Sequence, residues 1–337
     1  MNNLYGSSGR KSVSGGFSKL SSLPDFPVTN ILELKEKKGN YSGVVVEIGF
    51  GHGEFLQYLA EVKLNFLIVG IEIASKYFKK VMHRILREGI SNVVLLKEDA
   101  RTVLYYGFEP NSIDEIYANF PDPWPKSGQE KRRITNEKSL RLIFSRLKKG
   151  GKFYLSTDSV ILKEELMEFV RERGMEIETH SQSPFPIKTK YERKWQSSNK
   201  EIHYFIIKKR DEDNFGVEKG EVIGIMPHLV MEASKIFLHD FIEKFKPFEK
   251  KEKGCHFKSE KAFLANTEDE ILIPILINEE FINQRIFVSL RRRGEEYILK
   301  LYERDKIIVT KCVLKALNCI KDFILRNFGV KIVRGNL

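Results

Sequence analysis

Residues 45–56 read VVEIGFGHGEFL. The apolar residues up to Ile48 describe a short strand buried on both faces, and Gly49, Gly51 and Gly53 follow at once. Glycine enters left-handed backbone freely and has no Cβ, so three glycines in five positions let the chain turn sharply and approach a ligand closely. From Glu54 the spacing is helical, and the first N–H groups of such a helix have no internal partner. Strand, glycine turn and helix form the opening unit of an open parallel sheet. Ligands of such sheets sit beyond the carboxyl ends of the strands, near the switch in strand order. Taken alone, this pattern also suits a nicotinamide dinucleotide or a tight connection with no ligand.

The alternation continues through the first two-thirds of the chain. Expected strands are residues 43–50, 65–73 (NFLIVGIEI), 92–97 (NVVLLK), 113–118, 151–156, 176–180 and 202–208 (IHYFIIK). Expected helices are residues 54–62, 75–88, 136–148 and 162–173. Short connections between such segments predict an α/β, Rossmann-like fold, with a mostly parallel seven-stranded sheet covered on both faces. The last strand is reached without a helix, so it must run antiparallel.

Residues 211–220 (DEDNFGVEKG) are polar and punctuated by glycine, and read as a linker. Beyond them, residues 221–337 predict a smaller α+β unit. Its expected helices are 230–245 and 312–328, and its strands 271–277, 285–290, 297–302 and 307–310. Residues 1–30 carry Ser, Gly and Lys without the apolar stretch of a secretory signal, and read as a basic flexible arm ahead of a domain at 31–210. No apolar run approaches the roughly 18 residues that would cross a bilayer. Cys255, Cys312 and Cys319 form no CxxC pair. So sparse a set predicts reduced thiols in a cytoplasm and no metal site. The net charge of +11 is unevenly placed: residues 1–210 hold 35 Lys and Arg against 25 Asp and Glu, whereas residues 211–337 hold 22 against 21. The surplus sits on the sheet domain, where positive charge steers polyphosphates.

Three acids fall at successive strand ends: Glu47, Glu72 in GIEI, and Asp99 in KEDA. A carboxylate at the second strand end accepts from ribose hydroxyls, and Asp99 is placed for an adenine amino group. Glu47 would repel a pyrophosphate but suits the amino and sulfonium groups of S-adenosylmethionine. The fourth strand runs into ANFPDPWPK, residues 118–126, where proline-rich steps hold the backbone in a stiff non-helical turn. That turn fixes Asp122 and Trp124 beside the pocket. Lys126 and the run Lys131, Arg132, Arg133 follow directly and suit phosphate. Asp158 ends the fifth strand in STDS. TKYERKW, residues 189–195, brings a hydroxyl, an aromatic face and a carboxylate into one loop. Asp and Glu accept from the N1–H and 2-amino edge of guanine.

Taken together, EIGFGHG, GIE, EDA, FPDPWPK, KRR, STD and TKYE resemble the bacterial tRNA (guanine-N7)-methyltransferases in order and spacing, over roughly residues 40–210. The resemblance implies a methyltransferase that moves a methyl group from S-adenosylmethionine to N7 of the guanine at position 46, in the tRNA variable loop. It implies cofactor contacts from Glu47, Glu72, Asp99 and Asp122, beside the glycines Gly49, Gly51 and Gly53, with Asp122 catalytic. It implies substrate contacts from Lys126, Asp158, Thr189, Lys190, Tyr191 and Glu192, and RNA contacts from Gly128, Gln129, Glu130, Lys131, Arg132 and Arg133. It implies no metal, no membrane and no obligatory protein partner, with the chain a monomer or homodimer. Ser159 departs from the family, which often carries Trp after the TD pair. The tail beyond about residue 211 is similar to the extensions of thermophilic members, and stability, a tRNA grip or a partner surface are its open roles. Rival readings are another methyltransferase of RNA or a small molecule, an NAD dehydrogenase, and an RNA-binding module without catalysis.

Overall fold

A computed structural model of the chain describes residues 30–34, 37, 39, 41–188, 190, 192–193, 200–210, 214–232, 238–265, 269–302 and 307–337. The expected arm at 1–30 lies outside the described residues except for Asn30, as do residues 211–213 of the expected linker. The chain divides into two compact units, Met1–Glu218 and Lys219–Leu337.

In the first unit β1 (Gly43–Ile48) leads into α1 (Glu54–Val62), β2 (Phe66–Ile71), α2 (Ser75–Glu88), β3 (Val93–Leu96), α3 (Ala100–Gly107) and β4 (Ile113–Asn119). Then follow α4 (Glu137–Arg146), β5 (Leu147–Thr157), α5 (Val160–Glu172), β6 (Ile177–His180) and β7 (His203–Lys208). The sheet order is β3-β2-β1-β4-β5-β7-β6. The pairs from β3 through β5 are parallel, and β7 runs against both its neighbours. The chain reaches the far edge through α5, lays down β6, and returns past helical residues at Lys190, Glu192 and Arg193 to fill the gap beside β5. β1 is buried at all six positions, which explains its unbroken apolar run.

Phe55, Leu56, Leu59 and Ala60 of α1 pack with Phe78, Val81, Met82 and Ile85 of α2 in one apolar cluster. α4 packs against both α3 and α5. The short α3 was not among the expected elements. Its apolar residues, from Val103 to Tyr106, form a block rather than a spaced stripe, and its start is marked only by the Asp99 side chain, which accepts from the Arg101 N–H.

Residues 214–218, expected as a free linker, belong to this unit. Phe215 is buried and stacks on Phe144 and Phe169. The fully buried Arg146 donates to the carbonyls of Leu104, Val217 and Glu218 at 2.7–2.9 Å. Burial pushes its guanidinium down to about 10, so it remains charged at neutral pH.

The second unit holds β8 (His228–Glu232), α6 (Leu238–Lys244), β9 (Glu249–Glu252), β10 (Cys255–Ser259), β11 (Phe263–Leu264), β12 (Glu270–Glu279), β13 (Asn283–Arg293), β14 (Glu296–Leu301), α7 (Lys311–Phe328) and β15 (Ile332–Gly335). Its strands form one antiparallel sheet, β15-β8-β14-β13-β12-β10-β9, with β11 on β12. Alternate residues such as Ile271, Ile273, Ile275 and Ile277 face a core closed by Val313, Leu317, Ile320 and Ile324 of α7. Two expectations are corrected. Residues 230–232 pair with β14 as a strand rather than opening a helix, because Leu229 and Met231 alternate into that core. Residues 307–310 form no strand; Thr310 instead caps α7 by accepting from the Val313 N–H.

The cysteine reading is also corrected. Cys255, at the start of β10, and Cys312, in the first turn of α7, are joined in a disulfide with Cα atoms 5.6 Å apart, and Cys319 is free. Spacing along the chain concealed a pairing made by sheet-to-helix packing. No helix among the described residues is long and apolar enough to cross a membrane. Closing a loop of 57 residues restricts the unfolded chain by about 4 kcal/mol. Replacing Cys255 and Cys312 with serine should therefore destabilise the second unit by about that much, read by denaturant titration of the full chain. Equal stability with and without the bridge would remove it as a stabilising element.

Candidate active site

The switch in strand order falls at β1, which lies between β2 and β4. At the carboxyl ends of these strands is a cleft of about 770 Å³. Glu47, Gly49, Gly51, Gly53, Glu72, Asp99, Asp122, Arg132, Asp158 and Lys190 all line it. Ten of the residues singled out in the sequence thus converge on one cavity. Thr189 and Tyr191 lie outside the described residues. Lys126, Gly128, Gln129, Glu130, Lys131, Arg133 and Glu192 are not among the cleft's lining residues.

The floor is the glycine loop. Gly49, Gly51 and Gly53 have φ of 69°, 48° and 71°, in the region that side chains with a Cβ rarely enter. At Gly53 a Cβ would also stand 2.6 Å from the Arg84 guanidinium and 2.7 Å from Val81. Glu72 ties the loop to β2: its Oε2 accepts from the Gly51 N–H at 2.9 Å and its Oε1 from the Ala74 N–H at 2.8 Å. Glu47 is only 2 % exposed, and its Oε2 has no hydrogen-bond partner. Burial raises its carboxyl to about 8; the nearby Asn119 amide pulls the other way, and the charge of Glu72 adds to the rise. The Asn119 nitrogen is itself buried without a hydrogen bond of good geometry. A buried carboxyl with a vacant lone pair is a strong demand for a donor, and nothing in the sequence pointed to Asn119 as its neighbour.

Asp99 is more occupied than its position in KEDA suggested. Its Oδ1 accepts from the N–H and Nε of Arg101 at 2.8 and 3.0 Å, and its Oδ2 from the same guanidinium at 2.6 Å. Adjacent Glu98 also lines the cleft, and burial raises its carboxyl. Asp158 pairs with Lys200 at 3.0 Å. Ser159, which stands where the family often has Trp, caps α5.

The opposite wall is the proline-rich turn after β4. Phe120 and Trp124 have φ of 52° and 42°, a left-handed conformation that costs about 1–2 kcal/mol per non-glycine residue. Such strain persists only where the surroundings enforce it. Here Arg133 does so. It is buried, donates from Nε to the Pro123 carbonyl at 3.0 Å and from Nη2 to the Trp124 carbonyl at 3.0 Å, and pairs with Glu165 at 2.7 Å. Thr135 donates to the other oxygen of Glu165. Arg133 is therefore a strut under the loop rather than a free phosphate ligand. Its neighbour Arg132 faces the cleft with its guanidinium 4.8 Å above the Trp124 ring. Asp122 sits at the exposed tip between them, with no side-chain hydrogen bond among the described residues.

Lys190 and Arg193 are fastened beside the glycine loop. Glu54 accepts from the Lys190 N–H at 2.8 Å and from Arg193 at 2.7 Å. Lys190 Nζ lies 3.4 Å from His52 Nε2, and burial together with the charges of Lys190 and Lys80 lowers that imidazole. Glu192, expected at a guanine edge, is instead 2 % exposed and accepts from the Tyr204 hydroxyl at 2.8 Å. It serves as an anchor for the segment.

A Rossmann-like sheet whose antiparallel strand follows β6, with a glycine loop under a buried acid at the switch point, defines a methyltransferase of the nucleoside-binding α/β class. Comparison with known proteins carries this further. The family model described as "Putative methyltransferase" matches residues 42–205. The tRNA (guanine-N(7)-)-methyltransferase of Thermotoga maritima is 32% identical over 85% of this chain and 89% of its own length. That of Aquifex aeolicus is 28% identical over 83% and 93%. The chain belongs to the tRNA (guanine-N(7)-)-methyltransferase family. The Aquifex alignment runs over 290 residues and so reaches into the second unit. The Streptococcus pneumoniae relative, 32% identical, covers 56% of this chain and 94% of itself, and has no room for a full counterpart of that unit.

The cofactor of such an enzyme is S-adenosylmethionine, and the residues present fit it. The orphaned Glu47 oxygen would accept from its cationic amino group, the open glycine backbone would admit the amino-acid moiety, and Glu72 has lone pairs left that would serve ribose hydroxyls. Because Glu47 titrates near 8 and a cation favours its ionised form, binding should drive a proton off it below that pH. Affinity should then rise with pH up to about 8. Calorimetry in buffers of different ionisation enthalpy would show proton release at pH 7, and Glu47→Gln should abolish it; release unchanged in that variant would assign the proton elsewhere. Arg133→Met should lower turnover while leaving cofactor affinity within a few-fold, and a variant as active as the parent would discount the strut.

Proposed function

We propose that this chain methylates N7 of a guanine in tRNA, at position 46 of the variable loop, in the cytoplasm and as a monomer or homodimer. The observation that carries this reading is the pairing, across one cleft, of a ligand-starved buried carboxyl with an unpaired carboxylate on a strained, braced turn. S-Adenosylmethionine supplies the methyl group as a sulfonium. Guanine N7 carries a free lone pair, so no residue has to remove a proton before the new C–N bond forms and the C–S bond breaks. Positive charge passes from sulfur to the purine, and the sulfur keeps the bonding electrons.

The work left to the protein is alignment and charge. Alignment supplies roughly 7–11 kcal/mol where the geometry is good, which gives the rigid Pro-bounded loop its purpose. Asp122, at the loop's tip, sets negative charge against the purine as it becomes cationic. Glu47, Glu72, Asp99 and Gly49, Gly51 and Gly53 hold the donor. Asp158 and Lys190 hold the base from the cleft, and Lys126, Thr189 and Tyr191 are assigned to the base by the family motif. Glu192 acts on the base only through the segment it anchors. Lys131, Arg132 and the turn of Gly128, Gln129 and Glu130 meet the RNA backbone. The base leaves its stack to enter the cleft, at a cost of about a few kcal/mol.

Unmodified tRNA and methyl-labelled S-adenosylmethionine, followed by mapping of the modified nucleotide, test the reaction directly. Asp122→Ala should lower turnover by about 10²–10³, the scale of a lost electrostatic group in a transition state, with cofactor affinity within a few-fold of the parent. Label on another atom or nucleotide would overturn the assignment of the reaction. Near-normal turnover by the variant would remove Asp122 from catalysis.

A further inference from the structure

The exposed face of α2 carries charge that neither the cofactor site nor the expected RNA contacts use. Lys76, Lys80, His83 and Arg87 follow one another at helical spacing of three and four, Lys79 stands three residues after Lys76 and four before His83, and all five are exposed. The opposite face of the helix, Phe78, Val81, Met82 and Ile85, is buried. Residues three or four apart on a helix are neighbours on its surface, so the five form a continuous stripe. Lys76, Lys79 and Lys80 make no ion pair or hydrogen bond among the described residues. No acid occurs between Ser75 and Arg87, although oppositely charged pairs at this spacing would stabilise the helix.

The stripe also begins at an awkward place. α2 has Ala74 at its N-cap position, no side-chain cap and no acid in its first turn, and Lys76 is its second residue. Cations near a helix N-terminus oppose the helix dipole. A sequence that breaks the local rules of capping and charge together is expected at a functional surface. That end of the helix is the rim of the cleft: Ala74 and Tyr77 line it, and His52 packs against Tyr77 with ring centroids 4.9 Å apart. Burial lowers the His52 imidazole, and the charges of Lys190, Lys80 and Arg84 add to this against Glu54, so Lys80 stands close to this rim.

We propose that this face of α2 is a phosphate track, along which the backbone of the tRNA substrate runs outward from the cleft over the sheet half formed by β1, β2 and β3. The proposal rests on the reading of tRNA as substrate. It adds a contact surface on the other side of the switch point from residues 128–133. A ladder of point charges along a helix face suits backbone rather than base recognition.

The test uses the full chain with Lys76→Ala, Lys79→Ala and Lys80→Ala combined. The matched control combines Lys149→Ala, Arg171→Ala and Lys208→Ala, exposed cations at the opposite end of the sheet. Binding of unmodified tRNA is titrated at several salt concentrations, separately from methylation. Losing three phosphate contacts should weaken binding roughly tenfold or more near 0.15 M salt. It should also flatten the plot of log K against log salt by about two. Cofactor affinity, melting temperature and turnover at saturating tRNA should stay within twofold, and the control should bind as the parent does. The single reversal Lys80→Glu should weaken binding in the same direction if the triple variant folds poorly. An unchanged salt slope in the α2 variant, or an equal loss in the control, would overturn the track. A parent enzyme that binds tRNA but places no methyl on guanine N7 would instead overturn the proposed reaction, and the slopes would still decide the track.

Discussion

One oxygen of Glu47 lies buried at the carboxyl end of β1 with nothing to accept from, and the chemistry of the first unit is arranged about that fact. Burying a carboxylate without a partner is costly, and the group answers by holding its proton. Glu47 therefore holds its proton at neutral pH and gives it up when a cation favours the ionised form. β1 can place the group there because it is the one strand flanked by both halves of the sheet, β2 on one side and β4 on the other. The glycines follow from the same constraint: any side chain at Gly53 would collide with Arg84 and Val81, and Glu72 spends a lone pair from each oxygen on fixing the loop to β2.

Facing this responsive floor is a wall that does not move. The turn after β4 holds two left-handed non-glycine residues, and a strained loop left to itself would relax. Its carbonyls are instead gripped by Arg133, whose charge is balanced by Glu165, which is in turn bound by Thr135. The bracing reaches from the active-site turn to α5, so part of the alignment that methyl transfer needs is held in place by residues that never touch a substrate. Buried charge-assisted bonds of this kind are directional, which is why an apolar residue of equal size is no replacement.

What was legible in the sequence was what local chemistry specifies. The glycine spacing, the acids at strand ends and the proline-bounded turn each follow from a few adjacent residues, and all reached the cleft. The antiparallel direction of the last strand came out as expected, although the stretch before it holds helical residues that the sequence reading left out. What stayed hidden depends on packing at long range. Arg132 and Arg133 are neighbours in one basic run, yet one faces the cleft and the other is buried under the loop; composition cannot say which. Glu192 looked like a base ligand and is an anchor for Tyr204, 12 positions later. Asn119 stands in the ANFPDPWPK stretch, but nothing local marks it as the neighbour of Glu47. In the second unit, the pairing of Cys255 with Cys312 and the strand at His228–Glu232 exist only because a distant core demands them.

The two reactants impose opposite electrostatic needs on one small surface. The methyl donor is a cation and needs carboxylates, whereas the nucleic acid is a polyanion that carboxylates repel. Screening separates charges beyond about 8 Å at physiological salt, so the acids must be deep and the cations must stand at the rim. The structure meets both demands through the sheet: acids at the ends of β1, β2 and β3 point into the cavity, and Arg132, Lys190 and Lys200 ring its mouth. Protonation of Glu47 relieves the conflict further, because an RNA approaching an empty cleft meets less negative charge than the count of carboxyl groups suggests. Once the donor is bound, its own positive charge offsets the carboxylate it has ionised.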